Sequence, residues 1–173
     1  MVDPQKPRRR IVSSRHLADG EGWEASEFEY GLIIAGNAFY RWMQRCMSAA
    51  GGPDLSPLEI LVLHNVNHRS REKRLTDIGF LLNIEDIHTV NYALRKLMKH
   101  GLLASEKRGK EVFYTTSTEG ADLCEKYREV RDQCLLEGVD RTGLSGEKLS
   151  EIASALRTLS GHYDQAGRAA ASL

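Results

Sequence analysis

The chain has 173 residues, and its 24 Lys and Arg balance 24 Asp and Glu, which excludes a uniformly basic nucleic-acid coat. An apolar fraction of 41% is enough for a folded core and too high for a wholly disordered chain. No apolar run approaches the roughly 18–20 residues that cross a bilayer. The basic N-terminus lacks the apolar stretch of a secretory signal, and three cysteines are too few for a disulfide scaffold. The expectation is a cytoplasmic protein with no membrane partner, metal or cofactor.

Zero net charge conceals segregation. Residues 1–15 carry Lys6, Arg8, Arg9, Arg10 and Arg15 against Asp3, whereas residues 19–29 are purely acidic. Between Asn65 and Thr115 ten bases face six acids, and from Thr116 to Glu151 the balance reverses to nine acids and five bases. The middle of the chain therefore suits a polyanion and its flanks do not.

In chain order, residues 1–25 show no sustained periodicity and read as a mobile arm. From Ser26 to about Ala50, Phe28, Leu32, Ala35, Phe39, Trp42 and Cys46 repeat at helical spacing. That stripe is too wide and aromatic for a solvated helix face, so it needs cover. Ser56-Pro57 starts a second helix through Val66, followed by the charged linker His68–Arg74. Thr76 is read as the cap of a short helix ending near Leu82, and Asn83 suits a left-handed turn. The next helix, about Asp86 to His100, stops at Gly101. Ile87, Val90, Leu94, Leu97 and Met98 form its apolar face. The opposite stripe is His88, Asn91, Tyr92, Arg95 and Lys99, all hydrogen-bonding and none acidic, where an ordinary solvated face would mix in Asp or Glu.

After Gly101 the period changes to two, predicting a β-hairpin whose tip is Arg108-Gly109-Lys110. Leu123, Tyr127, Val130 and Cys134 then form a helical seam that breaks at Gly138–Gly143. A last helix carries Leu149, Ile152, Leu156, Leu159 and Tyr163. The predicted fold is mainly α with a small β-wing, a winged helix-turn-helix flanked by dimerisation helices. Its segments are an arm (1–25), an N-terminal dimerisation helix (26–52), a DNA-binding domain (53–117), C-terminal dimerisation helices (118–168) and a tail (169–173).

A helix fits the DNA major groove and a polar stripe on its outer face reaches base edges, while a basic hairpin follows the backbone or minor groove. The Leu58–Val66 helix, Leu75-Thr76-Asp77-Ile78, the Val90 to Gly101-Leu102-Leu103 exit and Ser117-Thr118-Glu119-Gly120 resemble the MarR family of winged-helix transcription regulators over about residues 26–165. Stretches such as Leu82-Asn83-Ile84-Glu85-Asp86 and Val90-Asn91-Tyr92-Ala93-Leu94 are similar to an alphaproteobacterial stress-regulator branch of it. The resemblance implies a homodimer on a pseudo-palindromic operator, modulated by a small aromatic effector or a thiol change. Four features depart from the family pattern. The turn into the recognition helix is one residue longer, Glu85-Asp86 stand where Ser and basic residues are usual, Tyr92 where many members carry Arg, and the wing is short and lacks an Asp-x-Arg tip.

The expected DNA-binding residues are Thr76, His88, Thr89, Asn91, Tyr92, Arg95, Lys107, Arg108 and Lys110, with the Arg69–Arg74 linker and the Arg8–Arg10 arm as weaker phosphate contacts. Phe39, Trp42, Met43, Cys46 and His64 would line an effector crevice, although core packing explains them equally. Phe28, Leu32, Leu123, Tyr127, Cys134, Leu149, Ile152, Leu156 and Leu159 are the expected dimer contacts. Cys124 and Cys134 lie about 15 Å apart along one helix and cannot pair within a chain. Cys46, Cys124 and Cys134 read as buried hydrophobes, with a redox sensor as the sharper alternative. His64 and His68 share a helix face but make two ligands, not a zinc site. No phosphate-binding Gly loop, Gly-x-Ser-x-Gly elbow or His-Glu-x-x-His motif points to an enzyme. The competing reading is a winged-helix scaffold that binds protein partners and not DNA.

Overall fold

The computed structural model describes residues 10–19 and 21–173, so Lys6, Arg8 and Arg9 of the basic arm lie outside the described residues. The chain divides into two compact units, Met1–Tyr127 and Arg128–Leu173. In the first, α1 (Trp23–Ala49), α2 (Pro57–Asn67), β1 (Lys73–Arg74), α3 (Leu75–Leu81) and α4 (Ile87–Lys99) precede the hairpin β2 (Leu103–Arg108) and β3 (Glu111–Thr116) and most of α5 (Thr118–Arg131). The sheet is antiparallel with strand order β1-β3-β2.

Local chemistry accounts for the element boundaries. Ser56 caps α2 by accepting from the Glu59 N–H, and the Glu59 carboxylate accepts from the Ser56 N–H at 2.7 Å, with Pro57 in the first turn. The start of α3 departs from expectation, because Arg74 and not Thr76 is its N-cap. Pairing of β1 with β3 keeps the backbone extended as far as Arg74. Asp77 then accepts from the Arg74 N–H at 3.1 Å, which leaves Thr76 exposed inside the first turn. Asn83 takes φ 52° in the turn to α4. Helix α4 ends in a Schellman motif, with Gly101 N–H donating to Met98 O at 2.9 Å and Leu102 N–H to Leu97 O at 3.0 Å. Gly101 sits at φ 71°, a conformation that a Cβ would strain.

The core of this unit is formed by Met43, Met47, Ile60, Leu63, Val66, Ile78, Val90, Leu94 and Leu97, each at most 1% exposed. Leu123 and Tyr127 depart from the expected dimer seam, since both are 7% exposed within the single chain. The Tyr127 ring meets His64 of α2 edge-on at 4.5 Å between centroids, and the Cys46 thiol of α1 donates to Tyr127 O at 3.5 Å. These residues therefore close the chain's own core. The N-terminal two-thirds of α1 behaves differently, with Phe28, Leu32, Ile33, Ile34, Phe39 and Tyr40 all 38–54% exposed. Arg10, assigned to the mobile arm, stacks its guanidinium 5.0 Å from the centroid of the Trp23 ring at the head of that helix.

In the second unit a five-residue π-helical turn, Asp132–Leu136, leads into α6 (Glu137–Asp140), and α7 spans Gly146–Ala170. The helical path thus continues past Gly138 and breaks only beyond Asp140. Ser145 caps α7 by accepting from the Lys148 N–H at 3.2 Å. Leu136, Leu144, Leu149, Ile152 and Tyr163 are exposed, while Leu156 and Leu159 are half-buried. No helix among the described residues is long and apolar enough to cross a membrane.

Candidate nucleic-acid interface

The amphipathic α4 sends Val90, Ala93, Leu94 and Leu97 into the core. The same periodicity turns His88, Tyr92, Arg95 and Lys99 to solvent, with Tyr92 72% exposed, and leaves Asn91 and Thr89 half-buried at the edge of that stripe. The acid at the helix start has a local task, because Asp86 caps α4 by accepting from the His88 N–H at 2.9 Å. The Thr89 hydroxyl donates to the Asp86 carbonyl at 2.7 Å, so only its lone pairs are left for another partner. Lys96 stands apart from the stripe, since its ammonium meets Glu59 at 2.9 Å, tying α4 to α2. The sequence reading missed Glu59, although its place three residues after Ser56 marks a capping box that lends its carboxylate a second use.

The hairpin presents Lys107, Arg108 and Lys110 around the two-residue loop Gly109–Lys110, all three exposed. They are not equivalent. Arg108 makes a two-pronged contact with Glu72, 2.7 Å from each oxygen, and also meets Glu106. Its guanidinium lies 5.1 Å from the Phe113 ring centroid. The Arg108 contact holds the Glu106 carboxyl below its ordinary range. The linker is similarly engaged. Arg74 pairs with Asp77 at 3.0 Å and Glu111 at 2.8 Å, and the buried Lys73 donates to the Asn65 and His68 carbonyls. Arg69 and Arg71 are exposed beside them. The Glu72–Arg108 and Arg74–Glu111 pairs escaped sequence reading because strand pairing joins positions 36 and 37 residues apart.

The expected effector residues fall into different environments. Met43 and Cys46 are sealed in the core, Trp42 is half-buried and Phe39 is 50% exposed. Burial pushes the pKa of His64 down, and its Nε2 has no hydrogen-bond partner. A largely apolar cleft of about 480 Å³ opens nearby, lined by Tyr40 of α1, Pro57, Leu58 and Leu61 of α2, and Leu82 and Ile84 of the following turn. His68 is exposed while His64 packs against Tyr127, and no group of three metal-ligating side chains occurs among the described residues.

The three thiols differ sharply. Cys46 and Cys124 are buried and Cys134 is exposed on the π-helical turn. Burial, helped by Glu125, pushes the Cys124 thiol up to about 11. A disulfide reagent at pH 8 is therefore expected to titrate one thiol of the native chain rapidly and to lose that phase in Cys134→Ser. Two fast thiols would show that Cys46 or Cys124 is accessible.

A hairpin beside an outward polar helix, both mounted on a three-helix core, defines a winged helix. Residues 55–120 match the family described as winged helix DNA-binding domain. Among solved structures, a cysteine-to-serine mutant of MarR from E. coli in complex with operator DNA is similar over 84% of this chain and 99% of its own, at 15% identity and a TM-score of 0.67. MarR from Staphylococcus aureus in complex with salicylate and kanamycin is similar over 83% and 95%, at 15% identity and a TM-score of 0.64. CouR from Rhodococcus jostii RHA1 bound to p-coumaroyl-CoA is similar over 84% and 95%, at 14% identity and a TM-score of 0.63. At such identities the likeness is one of fold, the fold shared with these MarR and CouR structures. Comparison with curated protein sequences gives no match.

Proposed function

We propose that this chain is a transcription regulator that binds double-stranded DNA as a homodimer. The observation that carries this reading is the stripe from His88 to Arg95, which stands clear of the core on α4 beside a basic hairpin. His88, Asn91, Tyr92 and Arg95 contact base edges in the major groove, Thr89 and Thr76 lie at its margin, and Lys107 and Lys110 meet phosphates or the minor groove. The capping role of Asp86 gives this acid a structural reason to stand at the start of α4.

Uncovered apolar side chains support a second copy. Phe28 and Leu32 of α1, and Leu149 and Ile152 of α7, are each 38–41% exposed in the isolated chain. Symmetric pairing sets two recognition helices about 34 Å apart, one turn of DNA. A small aromatic effector binds by α1 and α2, where the cleft beside Tyr40 offers space that sealed Met43 and Cys46 do not. Effector binding or modification of Cys134 changes DNA affinity by favouring one spacing of the two reading heads.

The test combines sedimentation with selection of genomic fragments by the purified protein. The expected outcome is a dimer at micromolar concentration that enriches fragments with two half-sites about 10 base pairs apart. Affinity for them should fall by about 10³-fold or more between 50 and 200 mM salt. A monomer that enriches no fragment would overturn the reading.

A further inference from the structure

The wing of this chain carries its own acids, and they are placed on its arginine. Glu72 lies in the segment just before β1, 36 residues from Arg108, and reaches it because Lys73 pairs with Tyr114 across the sheet. Both Glu72 oxygens accept from Arg108, at 2.7 Å to Nη1 and 2.7 Å to Nη2. This planar two-pronged match is the strongest that a guanidinium makes with a carboxylate. Glu106, on the same strand as Arg108, takes a further Nη2 donor, and the Phe113 ring supports the guanidinium plane. The cluster of one arginine and two glutamates carries a net negative charge. Arg74, with Asp77 and Glu111, forms a second cluster of one arginine and two carboxylates beside the hairpin. Of the three basic residues at the hairpin tip, Lys107 and Lys110 have no such acid partner among the described residues.

We propose that Glu72 is a positioning residue that withholds Arg108 from DNA, so that the wing meets the duplex through Lys107 and Lys110 and Arg108 braces the wing against the linker. The inference rests on the DNA-binding reading of the wing. A guanidinium whose donors are taken by carboxylates releases no counterion from a phosphate, so it adds nothing to the salt dependence of binding. Freeing it adds one phosphate contact.

The experiment compares wild type, Glu72→Gln, Arg108→Ala, the double variant and Lys110→Ala on a random-sequence duplex of about 30 base pairs, ample for two half-sites, across a range of salt. Glu72→Gln should bind about 3- to 10-fold tighter at low salt, and its log–log salt slope should steepen by about one. Arg108→Ala alone should change affinity less than about twofold, Lys110→Ala should flatten the slope by about one, and the double variant should lose the gain. Glu72→Gln that matches wild type in affinity and slope would overturn the proposal. So would a gain that survives in the double variant, which would mean that Glu72 merely repels phosphate. If the wild type binds no duplex, the DNA reading fails, and the side-chain NMR signal of the Arg108 Nη groups decides the brace alone. A protected Nη1, which donates to Glu72 alone, should appear in wild type and Lys110→Ala and be lost in Glu72→Gln, and an Nη1 equally exposed in all three would sink it.

Discussion

Arg95→Ala is expected to lower affinity for a selected DNA fragment by about 10- to 100-fold while leaving thermal unfolding unchanged. A two-pronged contact from arginine to guanine discriminates by about 1–3 kcal/mol, and Arg95 is the residue proposed to make one. It is exposed, one turn beyond Tyr92 on the same face of α4, and its neighbours inward are the fully buried Leu94 and Leu97. Lys96 is the natural control, because it is adjacent in sequence and equally basic. Its charge is committed to Glu59 at 2.9 Å, and Lys96→Ala should leave the DNA preference intact. Selection of the same fragments with equal affinity by Arg95→Ala would show that α4 does not read bases.

Gly120→Ala should cost the fold about 3 kcal/mol, near the upper end of ordinary overpacking, and lower the unfolding midpoint by roughly 6–12 °C. A Cβ on Gly120 would stand well inside contact distance of the Leu102 carbonyl oxygen and 2.9 Å from Thr116 Cγ2. The first obstacle is backbone, and that carbonyl already accepts from the Ser117 N–H at 3.1 Å, so α5 or the start of β2 must move. Helix propensity alone favours alanine over glycine by about 1 kcal/mol, so the predicted sign is opposite to the intrinsic one. Gly138→Ala in α6 separates the two effects, since its Cβ meets nothing within 4 Å, and it should hold or slightly raise the midpoint. Calorimetry that finds Gly120→Ala unfolding within a degree of wild type would contradict the close approach.

The outward polar stripe of α4 was legible in the sequence for a local reason. Helical spacing alone separates His88, Tyr92 and Arg95 from Val90, Leu94 and Leu97, and a single helix needs no partner to define its faces. The helix ends were legible where a cap is made within one turn, by the side chains of Ser56 and Asp86 and by the backbone at Gly101. Thr76 failed as a cap for a non-local reason, because β3 arrives from forty residues downstream to hold Arg74 extended. The seam through Leu123 and Tyr127 was visible as apolar, but nothing in its spacing says which surface covers it.

The periodic elements, their terminators and the division of charge follow from sequence, since each depends on residues within a few positions of one another. Tertiary structure alone decided that Tyr127 closes on His64 and Cys46, that Lys96 is spent on Glu59, and that Glu72 takes the guanidinium of Arg108. Those outcomes turn on which distant backbones come within hydrogen-bonding reach, and a charged or apolar side chain carries no record of the partner that folding will bring to it.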